Sequence, residues 1–198
     1  MFELDNQWDQ KTDEELVRLS VANDDCFYML MQRYEEKLIR YILRIVKANR
    51  ETAEDILQEV FLKAYKNLNG FDDSLKFSSW VYRIAHNESI SYWRKNQKNV
   101  DFVSIDKEEN GLAKTLTGED DTQAEALANE RKEKIEELIG KLPDYYQEIL
   151  VLRYLEEKDY DEISDILQKP IGTVSALIHR AKKKLEMEAG NMNIQDWL

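Results

Sequence analysis

The sequence predicts an all-α protein of two small helical domains joined by a flexible acidic linker, the C-terminal domain being a helix-turn-helix. Apolar residues recur at three- and four-residue steps on both sides of residues 99–128, which is the spacing of amphipathic helices. The chain contains only two prolines and six glycines, and long runs of β-branched residues are missing. Residues 99–128 mix acidic residues with Gly, Ser and Thr and hold few apolar ones, a composition that favours disorder.

We expect four parts along the chain: a first domain at 1–98, the linker at 99–128, a second domain at 129–190 and a tail at 191–198. A length of 198 residues suits two small domains. No apolar run approaches the roughly 20 residues that span a bilayer, and the acidic N-terminus lacks the layout of a signal peptide. We therefore expect a cytoplasmic protein without membrane insertion.

The net charge of −12 argues against a protein that binds DNA on its own, because such proteins usually carry a basic footprint. The charge is unevenly distributed. Residues 101–130 contain nine acidic and two basic side chains, whereas residues 67–100 contain three acidic and five basic ones. A subunit that meets DNA only inside a larger basic enzyme can be acidic overall, and its acidity weakens DNA binding by the free subunit.

Capping residues and apolar spacing mark the first two helices. Thr12 and the acidic residues after it predict a helix start, because a hydroxyl caps the backbone and acids suit the positive end of the helix dipole. Asp24 begins a longer helix whose apolar spacing continues to Ile45. Its basic residues predict a solvated face. Cys26, the only cysteine, is expected to be a small buried residue.

The third helix, around residues 55–65, has two different faces. Its apolar face predicts core residues at Ile56, Leu57, Val60, Phe61, Ala64 and Leu68. The opposite stripe has i, i+3, i+4 and i+7 spacing and consists of Asp55, Gln58, Glu59 and Leu62. A solvated face has no need of the leucine, although single exposed leucines are common. From spacing alone, this stripe is either a solvated face or a partner surface.

A polar loop at residues 67–74 separates this helix from the next, which we expect at Ser78–Asn96 with Trp80 and Trp93 facing the core. The loop and helix bring together amide, basic and aromatic groups. The candidate DNA-contacting residues are Asn67, Asn69, Gly70, Phe71, Lys76, Tyr82, Arg83, Asn87 and Arg94. Such a mixture suits single-stranded DNA, because aromatic rings stack on bases, cations follow phosphates and amides read base edges. Alternatively, the aromatic residues only build the core.

The second domain is expected to start with two amphipathic helices, the second of which opens at Pro143. A helix at Asp161–Leu167, a turn at Gln168–Gly172 and a helix at Thr173–Leu185 then predict a helix-turn-helix. Thr173 is the expected N-cap of the last helix.

The last helix carries the basic charge of the second domain. Lys169–Lys184 contains five basic residues and no acidic one. Its exposed candidates for DNA contact are Thr173, Ser175, Ala176, His179, Arg180 and Lys183. A basic helix end that only satisfies the dipole would explain the lysines at 182–184, but not Arg180 and the preceding turn.

An ordered series of motifs runs through the first domain. It consists of Asp55-x-x-Gln58-Glu59-Val60-Phe61-x-x-Ala64-Tyr65, then Phe71, then the segment Phe77–Asn87. The series resembles bacterial sigma factors of the small, two-domain extracytoplasmic-function (ECF) group of the sigma-70 family. The resemblance extends from about Asp24 to Leu185. It implies a promoter-specificity subunit of RNA polymerase that binds core enzyme, recognises −35 and −10 elements and opens the −10 region.

The resemblance also implies a partner for each surface. The stripe from Asp55 to Leu62 would dock on the clamp helices of the polymerase β′ subunit, and the second domain would meet the β flap. The 67–74 loop and the helix after it would open the −10 element, with Phe71 and Asn87 in a pocket for one flipped base. The last helix would read the −35 element, and the linker would thread polymerase channels. An anti-sigma factor is the expected inhibitor.

Two features depart from the pattern of this family. Gln168 stands where relatives have glycine, at a turn expected to need a left-handed backbone. Ser175, Ala176 and Leu177 stand where relatives tend to carry basic residues and serine, so base readout is expected to depend more on Arg180 and its neighbours.

The sequence contains no phosphate loop, dinucleotide fingerprint or nucleophile elbow. Two distant histidines and one cysteine do not have the spacing of a zinc site, and the many carboxylates are expected to face solvent. We therefore expect a protein that is not an enzyme and needs no cofactor or metal. A stand-alone helix-turn-helix transcriptional regulator and a helical adaptor that binds only protein remain open alternatives, although only a sigma factor gives the Asp55–Leu62 stripe a required partner.

Overall fold

The computed structural model describes Trp8 and residues 10–72, 75–97 and 133–190. Every regular element within these residues is a helix, and the described helices form two domains as predicted. None of the described helices combines the length and apolarity that a membrane span needs. The predicted linker at 99–128 and the predicted tail at 191–198 lie outside the described residues.

The first domain is built from four α-helices and one short turn of 3₁₀-helix. The α-helices are α1 at Asp13–Ser20, α2 at Asp24–Val46, α3 at Arg50–Asn67 and α4 at Phe77–Gln97, and the 3₁₀ turn is Leu68–Gly70. Thr12 caps α1 as predicted, and its backbone N–H is bound in return by Glu15. Asn23 and Asn49 cap α2 and α3 with their side-chain oxygens. Side-chain caps therefore set where all three of these helices begin.

The core of the first domain lies between α2, α3 and α4. The predicted apolar face of α3 is buried, and so are Trp80 and Cys26. The prediction that Trp93 faces the core is wrong, because 41% of its surface is exposed. Beyond Ser89, residues 90–96 of α4 contain no buried side chain, so the helix has passed the end of the core before it reaches Trp93.

The described part of the second domain contains four further helices, which bury apolar side chains of their own. They are α5, of which residues 133–140 are described, α6 at Asp144–Leu150, α7 at Tyr160–Leu167 and α8 at Ile171–Ala189. A π-helical turn at Val151–Leu155 continues α6. Ile149, Leu150, Leu152 and Ile163 are completely buried.

The turn between α7 and α8 adopts the left-handed backbone that the sequence predicted. Gln168 has φ 51° and ψ 44°, and its side-chain amide donates a 2.7 Å hydrogen bond to the carbonyl of Asp165. The prediction that Thr173 caps α8 is wrong, because α8 begins at Ile171 and Pro170 precedes it. Proline has a φ suited to a helix start and no N–H that needs a partner, so it starts the helix earlier than the threonine.

Substitution of Gln168 tests this turn. We expect Gln168→Gly to be about 1 kcal/mol more stable than Gln168→Ala, because only alanine must place a Cβ in the left-handed region. Both variants lose the amide hydrogen bond, so their difference isolates the backbone effect. Urea unfolding of the two variants measures it. Equal stabilities would show that the left-handed conformation at this position carries no cost.

The two domains pack against each other. The principal contact is between α4 of the first domain and α7 of the second, and α2 also touches α6. Some predicted functional residues on the side of α4 that faces α7 are therefore less accessible to solvent than those elsewhere on the surface.

Candidate nucleic-acid interface

The Asp55–Leu62 stripe of α3 is fully on the surface. Asp55, Gln58 and Glu59 are exposed, and Leu62 leaves 49% of its surface in solvent. Neighbouring Tyr65 is also exposed, but its hydroxyl donates a 2.8 Å hydrogen bond to Asp24. The stripe is therefore an acidic and amide-bearing surface around an exposed leucine, on a helix whose other face is anchored in the core.

The polar loop after α3 places its predicted residues in two different environments. Asn67, Asn69 and Gly70 are exposed, and the Asn67 amide donates to the carbonyl of Lys63 at 2.8 Å. Phe71 is half-buried against two rings at the start of α4. Its centroid lies 5.3 Å from that of Trp80 and 6.0 Å from that of Phe77.

Asn87 and Arg94 lie farther along α4 and are exposed. The structure shows no contact between Phe71 and Asn87, because Asn87 stands two turns beyond Trp80 and about 10 Å farther along the helix axis. The aromatic ring and the amide are thus on one helix, but they are not assembled into a closed pocket.

The second domain contacts the remaining three predicted −10 residues, of which Lys76 stays exposed, Arg83 is half-buried and Tyr82 is buried. The Nζ atom of Lys76 lies 3.1 Å from the Asp159 carboxylate and 3.5 Å from that of Glu162. The guanidinium of Arg83 lies 2.6 Å from the carboxylate of Asp165. These ion pairs place carboxylates where the resemblance expects DNA phosphates.

Tyr82 is the most enclosed of the three, with 1% of its surface exposed. Its hydroxyl donates a 2.6 Å hydrogen bond to Glu156, and the Nζ atom of Lys158 lies 4.5 Å from its ring centre. Burial and the nearby Glu156 carboxylate raise the pKa of Tyr82, so the phenol stays protonated and remains a hydrogen-bond donor. Burial lowers the pKa of Lys158.

A second group of contacts joins α2 to the second domain. Arg44 binds the Glu136 carboxylate through Nε at 2.9 Å and the Glu156 carboxylate through Nη1 at 2.7 Å. Burial acts to lower the pKa of Arg44, but the hydrogen bonds and charges of the two carboxylates raise it overall. Arg44 is therefore a fixed cation at the boundary between the domains.

The last helix presents its predicted DNA-contacting residues to solvent. Thr173, Ser175, Ala176, His179, Arg180 and Lys183 are all exposed. Val174, Ile178, Ala181 and Leu185 hold the opposite face in the core, and Leu177 is half-buried at its edge. The opposite face of α8 is thus packed in the core, and its basic surface is not covered by the first domain.

The sequence interpretation missed the carboxylates that cover α4. It expected acidic side chains to face solvent, but Glu156 is almost fully buried, and Glu162 and Asp165 are half-buried. The signal was present in the spacing, because Asp159, Glu162 and Asp165 recur every three residues and form one stripe along α7. Nothing in the sequence alone showed that this stripe faces the basic side of α4.

The comparisons with known proteins agree with this architecture. The family model for Sigma-70 region 2 matches residues 30–99, and that for Sigma-70 region 4 matches residues 132–185. The ECF RNA polymerase sigma factor SigW of Bacillus subtilis is 34% identical over 183 residues, covering 87% of this chain and 94% of that protein. The ECF RNA polymerase sigma-E factor of Haemophilus influenzae is 31% identical, covering 90% of this chain and 95% of that protein.

Two solved structures have a similar fold. CnrH, in complex with the cytosolic domain of CnrY, matches with a TM-score of 0.63 at 20% identity, covering 89% of this chain and 96% of that one. RpoE from Bartonella quintana, in complex with the anti-sigma factor NepR, matches with a TM-score of 0.63 at 21% identity, covering 82% and 95%. The chain therefore belongs to the extracytoplasmic-function group of the sigma-70 family, whose members are promoter-specificity subunits that bind core RNA polymerase and promoter DNA.

Proposed function

We propose that this sigma factor divides its work among three surfaces. The Asp55–Leu62 stripe docks on the β′ clamp helices of core polymerase. The loop at 67–72 and the side of α4 that follows it capture and open the −10 element, and α8 reads the −35 element. The protein has no catalytic step of its own and acts in the cytoplasm, where polymerase is found.

The observation that carries this proposal is the exposure of the α3 stripe. Among the described residues, no side chain forms an ion pair or hydrogen bond with Asp55, Gln58 or Glu59, and Leu62 is exposed between them. A helix that is firmly packed on one side and presents an ordered polar stripe around a leucine on the other is suited to helix-on-helix docking. Neither a stand-alone regulator nor a protein adaptor requires this stripe to meet polymerase.

Replacing Asp55 and Gln58 together with alanine tests the docking surface. We expect the double variant to bind core polymerase at least about tenfold more weakly. Each substitution removes a side-chain group whose contact with polymerase is worth roughly 1 kcal/mol. Its free energy of unfolding should change by only about 0.5 kcal/mol per site, since both side chains lie off the core. Titration of labelled chain with core polymerase measures the affinity.

The chain offers a matched control for this test. Gln32→Ala with Glu35→Ala likewise removes one amide and one carboxylate, here from exposed positions of α2. This control should bind core polymerase like the wild type. Wild-type affinity of the Asp55→Ala, Gln58→Ala variant would reject the docking role of the stripe.

An anti-sigma factor is the proposed regulator of this chain. The two solved relatives with the same fold are seen in complexes, one of them with the anti-sigma factor NepR. A stand-alone regulator is disfavoured because the net charge of −12 opposes DNA binding by the free protein.

A further inference from the structure

The backbone at the start of α4 is bound by a side chain of α1. The first N–H groups of a helix have no acceptor within the helix, and Lys76, which precedes α4, has a side chain that only donates. Oε1 of Glu14 accepts the N–H of Phe77 at 3.1 Å, across 63 positions of sequence. The negative charge of Glu14 also suits the positive end of the α4 dipole. A residue of α1 thus holds the first turn of α4.

Glu14 is itself held in place by its neighbours on α1. Leu16 is completely buried in the core, and Asp13 pairs with the guanidinium of Arg33 at 2.7 Å. The hydroxyl of Tyr34 donates a hydrogen bond to the other oxygen of Asp13. Burial, and then this hydrogen bond, raise the pKa of Tyr34, so its phenol keeps the proton that it donates. The start of α1 is therefore fastened to α2 at the residue beside Glu14.

The same tyrosine reaches the start of α4 through its ring. The centroid of Tyr34 lies 5.4 Å from that of Phe77 in an edge-to-face arrangement, which is a favourable geometry for aromatic pairs. Phe77 is 1% exposed, and its ring contacts those of Trp80 and Phe71. Phe77 is thus held at its backbone by Glu14 and at its ring by Tyr34, and Phe71 rests against it.

We propose, building on the function proposed above, that Glu14 is a positioning residue for opening of the −10 element. It fixes the first turn of α4 and, through Phe77, the ring of Phe71 on which the unpaired base stacks. Glu14 acts through Phe77 and does not itself contact DNA. A ring that is already fixed need not be ordered when the base arrives, so more of the stacking free energy remains to offset unpairing.

A purely structural role of Glu14 makes different predictions from a positioning role. A carboxylate that only stabilises the fold would change the free energy of unfolding and leave the opening rate of the folded protein unaltered. A positioning residue changes the opening rate while affinity for core polymerase stays at the wild-type value. The experiments therefore compare opening with core affinity in the same variants.

Amide hydrogen exchange of the full chain, followed by NMR, tests the contact in the free protein. We expect Glu14→Ala to speed exchange of the Phe77 amide by about tenfold, because that N–H loses its acceptor. The control is Glu35→Ala, which removes the same carboxylate from an exposed position of α2. Circular dichroism checks that each variant keeps its helices. A wild-type exchange rate for the Phe77 amide in Glu14→Ala would overturn the proposal.

Fluorescence of 2-aminopurine in the −10 region, with polymerase carrying each variant, tests the effect on opening. Glu14→Ala should slow opening by about 2- to 10-fold, the factor expected when one side chain must be ordered during the step. Glu35→Ala should open promoters at the wild-type rate. Glu14→Gln keeps an oxygen that can accept the Phe77 N–H and should recover most of the rate. Equal defects in Glu14→Gln and Glu14→Ala would overturn the hydrogen-bond basis of the proposal.

A double variant shows whether Glu14 acts through Phe71. Glu14→Ala with Phe71→Ala should open promoters no more slowly than Phe71→Ala alone, because the ring that Glu14 positions is already gone. Two defects that multiply would contradict this route. If Phe71→Ala slows opening and Glu14→Ala does not, the positioning role is wrong and the proposed −10 function stands. If Phe71→Ala opens promoters at the wild-type rate, both are wrong.

Discussion

Replacing Phe71 with alanine is expected to slow opening of the −10 region by about 5- to 150-fold at 25 °C, because one stacked base is worth roughly 1–3 kcal/mol. Polymerase must hold a base outside the duplex, and unstacking that base costs a few kcal/mol. In the proposed function, the half-buried ring of Phe71, which contacts Trp80 and Phe77, offsets this cost by stacking on the base. Fluorescence of 2-aminopurine in the −10 region follows the opening step directly.

Two further measurements separate stacking from packing. Phe71→Leu keeps an apolar side chain against Trp80 but has no aromatic face, so it should open promoters as slowly as Phe71→Ala. A promoter that is pre-melted by mismatches should restore much of the lost activity, because its unpairing cost is already met. If Phe71→Leu opens duplex promoters at the wild-type rate, Phe71 is only a packing residue.

Removal of Arg180 is expected to weaken −35 recognition by roughly 1–3 kcal/mol and to relax the preference at one base position, as for an arginine that reads a guanine edge. The side chain is exposed on α8, and the buried face of that helix fixes its direction. Lys183→Ala should instead weaken binding evenly across sequences. The slope of log affinity against log salt concentration should become shallower by about one, as expected for the loss of one phosphate contact. Footprints of the polymerase complex at several salt concentrations distinguish the two effects.

Lys141→Ala is the control for both substitutions. It removes one positive charge from the same domain, at an exposed position where the lysine pairs only with Glu137 among the described residues. Its footprint should match that of the wild type. Unchanged upstream footprints in the Arg180 and Lys183 variants would show that α8 is not the recognition helix.

Periodicity predicted most of the fold because it reports which face of each helix is buried. The six apolar positions that the spacing identified in and just after α3 are all buried. Capping chemistry placed the start of α1, since Thr12 and Glu15 bind each other's backbone. It failed at Thr173, because Pro170 starts α8 without a side-chain cap.

The relation between the two domains could not be predicted from spacing. Helical periodicity separates core from surface, but it does not distinguish an exposed charge from one that pairs with a distant part of the chain. Glu156 and Arg44 are more than a hundred positions apart in sequence and still form a buried ion pair. For the same reason, Tyr82 could be listed as a DNA-contacting residue from its position on α4, although the second domain encloses it.

Transcription by core polymerase in the presence of the purified chain tests the central claim most directly. Sheared genomic DNA from the source bacterium serves as the template, and the 5′ ends of the transcripts are mapped. The account predicts new start sites that share one pair of −35 and −10 sequences and that disappear with the Asp55→Ala, Gln58→Ala variant. Start sites identical to those of core polymerase alone would contradict it.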